Sequence, residues 1–266
     1  MIGFFRKIRK KLADDNQFFK YSRYAIGEVV LVVIGILIAL QINTWNIERI
    51  NRLEEKEYLN RMVLDLNRDL VNILSCRERY EERLLVGIQI LDSLGNNYAD
   101  RFKLNDNYTT ALKKHIAGKF MIPKNMGEKF FNTLRINFFY KSDFAFQELL
   151  STGKIDIIKN QELKAAIQEH YLKIMDNQNF QDRIVMSIQE NFRDALNINN
   201  ISMQNNESYA DLKNKFIDTQ GLIVALENHM FITHVMLNIL IYDDNSMKKR
   251  TENIISQIKE ELDNAK

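Results

Sequence analysis

Apolar positions along the chain fall into runs of different kinds. From Tyr24 to Ile42 the sequence reads YAIGEVVLVVIGILIALQI, with no polar side chain between Val29 and Leu40. About 19 residues rise roughly 28 Å as a helix, close to the hydrocarbon thickness of a bilayer, so this run predicts a transmembrane helix. From Trp45 to about Leu94 the pattern changes. Leu59, Val63, Leu66, Leu70, Ile73, Tyr80 and Leu84 recur at alternating spacings of three and four, with Arg77 at the one polar seam position. That spacing predicts a long coiled-coil-like helix with one buried stripe. Its partner is either the chain's own C-terminal helices or a second copy.

Gly95-Asn96-Asn97 predicts the end of this helix, followed by a less regular stretch to about Lys141 with a short helix over Asp106 to Ala117. Ser142-Asp143 reads as a helix start, with Phe144, Phe146, Leu149 and Leu150 as the apolar side and Gly153 as the stop. Lys154 to Lys159 reads as a brief extended link, and Asn160 as the cap of an amphipathic helix running to about Leu196. A polar loop, NINNISMQNNES, precedes an apolar run from about Gly221 to Tyr242. Glu227, Asn228, His229, His234 and Asn238 would be costly in lipid, so this run predicts a core helix and not a second span. Ser246 restarts a helix after Asp243-Asp244-Asn245, or residues 222–264 form one helix with a polar middle.

Composition supports the same class. One Pro and nine Gly in 266 residues leave few helix breakers. The expected fold is all-α: one N-terminal transmembrane helix (24–42) behind a basic amphipathic segment (1–23), continuing into a long helix and an antiparallel helical bundle (43–266).

Charge then sets a direction. The first 23 residues carry seven Lys or Arg against Asp14 and Asp15, whereas the chain after the span is nearly balanced, at about −2. Arg6, Lys7, Arg9, Lys10 and Lys11 interleave with Ile2, Phe5, Ile8 and Leu12 at helical spacing, as in a helix lying on an anionic membrane surface. By the positive-inside rule this end is expected to be cytoplasmic and the large domain periplasmic or extracellular. No small-x-small cleavage pattern follows the run, so it is expected to stay attached as an anchor and not to be removed as a signal peptide. Within it, Glu28 is a candidate contact to a partner helix or an interfacial snorkeller, and Gly35 with Ala39 forms a small-xxx-small pair that permits close helix approach.

The segments FFRKIRKKL, YAIGEVVLVVIGILIALQINTWN and FQELLSTGKIDIIKNQELKAAIQEHY resemble an uncharacterised, domain-of-unknown-function family of single-span proteins common in Bacteroidota. The resemblance implies an inner-membrane protein of unknown biochemical role and brings no catalytic residues.

Candidate chemistry is sparse. STGK at Ser151 to Lys154 lacks the glycine a phosphate loop needs, since Glu148 stands there. His229 and His234 are about 140° apart on a helix and do not form a metal-binding pair. All four histidines, His115 and His170 included, are expected at the surface or partly buried. Cys76 is the sole cysteine, so it has no intrachain disulfide partner. Phe130, Phe131, Phe138, Phe139 and Tyr140 form an aromatic cluster, expected either to plug the bundle's end or to line a ligand pocket. No catalytic, metal or cofactor constellation appears, and nothing resembles a nucleic-acid surface. The function expected is a membrane-anchored interaction or scaffold protein, self-associating through span and stalk and meeting the bilayer and an envelope partner. The alternative is a small-molecule sensing module that acts through a membrane partner.

Overall fold

The computed structural model describes residues 18–98, 113, 125–135, 138–202, 208 and 214–264. The basic residues Arg6 to Lys11, Pro123 and nearly all of the helix expected over Asp106 to Ala117 lie outside these. The chain divides into two units, Met1–Glu57 and Tyr58–Lys266. All regular structure among the described residues is helical.

Helix α1, Phe18–Ser93, runs unbroken through the apolar segment and the heptad region. It stops as its sequence predicts. Gly95 takes a φ of 77°, while Asn96 N–H donates to Leu91 O (2.9 Å) and Gly95 N–H to Asp92 O (3.0 Å). These paired bonds satisfy carbonyls that a helix end would otherwise leave bare. The same device, with a left-handed residue in third place, ends two more helices, at Gly153 (φ 67°) and at Asn200 (φ 55°).

The other helices are α2 (Met126–Leu134), α3 (Phe144–Ser151), α4 (Gln161–Phe180), α5 (Met186–Ile198), α6 (Thr219–Leu237) and α7 (Met247–Asn264). A π-helical turn, Gln181–Val185, joins α4 to α5 without a break, and a second, Asn238–Tyr242, extends α6. The sequence gives no sign of either turn. In the first, Gln181 is carried into the core, where its Oε1 accepts from Phe139 N–H at 3.2 Å. Chain 222–264 is two helices, because α7 begins anew after Asp243-Asp244-Asn245, with Arg250 N–H bonded to Ser246 O at 3.0 Å.

The heptad stripe is buried against the chain's own elements. Leu59, Leu66, Ile73, Tyr80 and Leu84 are all in the core, joined by Met62, Cys76, Ile90 and Leu91, which widens the stripe beyond a two-stranded seam. At Gly87 the backbone of α1 comes so close to α6 that a Cβ there would fall 1.9 Å from Met230 Sδ. Glu81 accepts the Tyr242 hydroxyl, and Asn96 Nδ2 donates to Glu227 at 2.7 Å.

Local caps behave as expected at Asn160, whose Oδ1 accepts from Leu163 N–H at 3.1 Å. The start of α3 does not. Asp143 occupies the cap position but makes no side-chain cap bond. Instead two carboxylates of α1 take over: Asp65 Oδ2 accepts from Ala145 N–H (3.0 Å) and Asp69 Oδ1 from Ser142 N–H (2.6 Å). Arg61 and Tyr58 then hold Glu148 one turn along. With α3 pinned on this side, Ala145, Phe146 and Leu149 face the core, while Phe144 and Leu150 point outward, contrary to the apolar side expected of them. Lys154 to Lys159 is likewise not extended, because Ile155–Ile157 close a 3-10 turn in which Ile158 N–H reaches back to Ile155 O.

Asp65→Ala removes the acceptor for Ala145 N–H and is expected to cost about 1–2 kcal/mol in urea denaturation. Asp65→Asn keeps an oxygen there and should recover more than half of that loss.

Candidate functional site

Five regions bear on function. In the first unit, the segment from Tyr24 to Ile42 is apolar and open on every side, and no part of its most apolar 18-residue window is buried. Val29, Leu31, Ile36, Leu37 and Leu40 each keep half or more of their surface exposed. Glu28 lies half-exposed within this segment, and a Cβ at Gly35 would meet nothing within 4 Å. Ala39 shares this open helix.

In the second unit, the five aromatics do not form one pocket. Phe130 and Phe131 lie on α2 beside a cleft of about 690 Å³ that Leu134, Arg193, Leu196 and Ile201 also line. Phe138, Phe139 and Tyr140 line a different cleft, of about 230 Å³, with Met175 and Gln181. Phe130 and Phe139 are core residues, whereas Tyr140 is 68% exposed.

At the C-terminus of α2, three consecutive carbonyls are each held by a different helix. His229 Nε2 on α6 bonds Thr133 O at 2.8 Å, Gln189 Nε2 on α5 donates to Leu134 O at 2.8 Å, and Arg83 on α1 donates to Arg135 O. A carbonyl only accepts, so the His229 proton sits on Nε2. The ring stacks on Phe192, with centroids 5.0 Å apart, and Phe192 in turn meets Phe130. Arg83 is fully buried and lies over the Tyr80 ring at 4.9 Å. Burial lowers its pKa to about 10, so it remains a cation at neutral pH.

Between α4 and α7 lies a smaller cleft, of about 140 Å³. Ala166, Glu169, His170 and Lys173 form one wall, and Arg250, Asn253, Ile254 and Gln257 form the other. His170 is 3% exposed, and neither ring nitrogen has a hydrogen-bond partner among the described residues. Two of the histidines are thus buried in the core, His170 and His229, and His234 is half-buried with Nε2 3.1 Å from Asn238 Nδ2. A surface or partly buried position was expected of all of them, which His234 meets and His170 and His229 do not. They sit on the apolar faces of their helices, where burial holds the rings neutral and lets them pack like other aromatics. His115 lies outside the described residues.

The last region is the carboxylate pair beneath α3. Burial pushes the Asp69 carboxyl up to about 7, against the pull of its bond from Ser142, and its Oδ2 has no partner among the described residues. Tyr171, stacked on Phe146 at 4.2 Å, has its hydroxyl pKa raised by burial and by Asp69, Asp65 and Asp143. Burial also raises the Cys76 thiol to about 11, which keeps it in the inert protonated form. Among the described residues no group of three or more His, Cys, Asp or Glu is placed to hold a metal ion.

Among known proteins, a family model described as a family of unknown function, DUF6090, matches residues 28–111. The match takes in most of the apolar segment and the rest of α1, while the FQELLSTGK motif lies beyond it. No curated protein and no solved structure matches the chain.

The buried titrating groups give stability a pH dependence with two opposed parts. Burial lowers His170 to about 4 and His229 to about 3, so their contribution is full above the unfolded value of about 6.5 and is lost as pH falls through the folded values. Asp69, raised to about 7, contributes fully below the unfolded value of about 4, and this is lost as pH rises through 7. Asp69→Asn keeps an acceptor for Ser142 and removes the titration. The melting temperature of this variant, measured from pH 4 to 8, is expected to gain on the wild type steadily as pH rises.

Proposed function

We propose that the chain is a cell-envelope protein anchored in the inner membrane by one transmembrane helix, Tyr24–Ile42. Its N-terminus is cytoplasmic, and its helical domain lies on the far side, where it acts by binding a partner. One observation carries this reading: the segment is almost wholly apolar, and among the described residues none of its most apolar 18-residue window is buried. At about 25 cal/mol per Å² of apolar surface, leaving such a helix in water is prohibitive, whereas a bilayer accepts it without loss because every backbone group is bonded within the helix. The basic residues Arg6, Lys7, Arg9, Lys10 and Lys11 ahead of it supply the direction. Glu28, Gly35 and Ala39 are where a partner helix or a second copy would meet it inside the membrane.

The domain's surface supports a binding role. Tyr140, Phe144, Val71 and Ile217 are large side chains with most of their area exposed. A second reading, a small-molecule sensing module, draws support from the cleft that His170 lines.

Two measurements test the anchor. The protein should stay with membranes after alkaline carbonate extraction, and protease added outside spheroplasts should digest a C-terminal tag while sparing an N-terminal one. Val33→Lys places a charge near the centre of the span at a cost of about 2.5–3.5 kcal/mol, and should release a large fraction into the soluble pool. Full extraction of the wild type by carbonate would overturn the reading.

A further inference from the structure

The α4–α7 cleft has features that core packing does not require. Positions 166, 169, 170 and 173 on α4 face positions 250, 253, 254 and 257 on α7, so two helices present stripes of the same spacing to one space. Ala166 and Ile254 form an apolar part, Asn253 and Gln257 bring two amides, and Lys173 and Arg250 bring two cations. Among the described residues neither cation takes part in an ion pair, and Glu169 is the sole carboxylate among the lining residues, which leaves the cleft with one net positive charge. His170 faces this space from a buried position, with both ring nitrogens unpartnered among the described residues. A buried polar group without a partner is costly, and native proteins seldom leave one so unless water, an ion or a ligand completes it. Arg250 lies close enough to depress His170 further, so the imidazole is neutral and offers one N–H.

We propose that this cleft binds a small carboxylate-bearing molecule, with Arg250 and Lys173 gripping the carboxylate and His170 donating a hydrogen bond from the floor. A single negative charge balances the single net positive one. The planar guanidinium fork matches a carboxylate in geometry. Size narrows the class further, because a cavity near 150 Å³ holds a molecule of about benzene's bulk. A short-chain organic acid fits the space and a nucleotide does not. Glu169 stands where it would accept from a hydroxyl or amino group on such an acid. The site belongs to the bundle alone, and its occupancy does not depend on the first helix crossing a membrane.

The test uses the full chain in detergent, titrated with sodium acetate, sodium succinate, sodium phosphate and sodium chloride at matched ionic strength. Melting temperature is followed together with the imidazole ¹⁵N signals of His170, assigned by their loss in His170→Gln. Acetate or succinate should raise the melting temperature saturably and shift the His170 signals. Arg250→Gln and Lys173→Gln, which alter side chains at the cleft's rim, should each weaken the half-saturating concentration about tenfold or more. Arg193→Gln, in the larger cleft, should leave it unchanged. Saturation by phosphate alone would overturn the carboxylate assignment. A linear response shared with chloride, or a loss in Arg193→Gln and not in Arg250→Gln, would overturn the site itself.

Discussion

Helix α2 is nine residues long, too short to hold its shape in water unaided, since an isolated helix needs about 12–15 residues to be even marginal. It persists because its ends are tied. At its start Asn125 Oδ1 accepts from Glu128 N–H at 2.7 Å, while the Asn125 amide points back at Glu128. Its end carries the negative pole of the helix and the last bare carbonyls. Thr133, Leu134 and Arg135 offer those carbonyls to His229, Gln189 and Arg83, one from each of α6, α5 and α1. The short helix is therefore the point at which three longer ones are held in mutual register. Arg83 becomes intelligible in this setting. Among the described residues no carboxylate contributes to its electrostatics, and a helix terminus and an aromatic face take the place of a counter-ion.

The rest of the bundle uses α1 and the turn that ends it in the same way. Asp65 and Asp69 hold the entry to α3, Glu81 holds Tyr242, Gly87 admits Met230 and Asn96 holds Glu227. These contacts give the polar residues of the buried stripe a purpose that a coiled-coil pattern does not express. Asp65, Asp69, Glu81 and Arg83 are all nearly inaccessible. They are buried because each answers a backbone group or hydroxyl of a later element, and their apolar neighbours Met62, Leu66, Tyr80 and Leu84 close the space around them.

Local signals in the sequence were read well. Gly95, Gly153 and Asn160 stop or start helices where their backbone freedom or side chains suggested, and Leu59, Leu66, Ile73, Tyr80 and Leu84 of the stripe are in the core while Val63 and Leu70 are partly buried. What went unread depends on residues far apart in the chain. The cap of α3 comes from Asp65, 80 positions away, and once it takes hold Phe144 and Leu150 turn outward. The π turns carry Gln181 and Tyr242 to Phe139 and Glu81, contacts that local periodicity does not encode. Of the sites, the aromatic cluster was visible as composition, but α2 carries Phe130 and Phe131 to one cleft and leaves the other three at a second. The α4–α7 cleft gave no sign at all, because each of its walls looks like an ordinary amphipathic face until the two are set opposite each other.

The dependence of the bundle on the end of α2 is tested most directly by a double-mutant cycle on Arg83 and His229. The variants are Arg83→Met, His229→Leu and the pair, each unfolded in urea at pH 7. Both side chains act on one helix terminus, so each single change is expected to cost about 2–4 kcal/mol. The double change should fall short of their sum by about 1 kcal/mol or more. Additivity to within about 0.3–0.5 kcal/mol would mean that the two residues act separately, and would contradict a clamp shared by three helices.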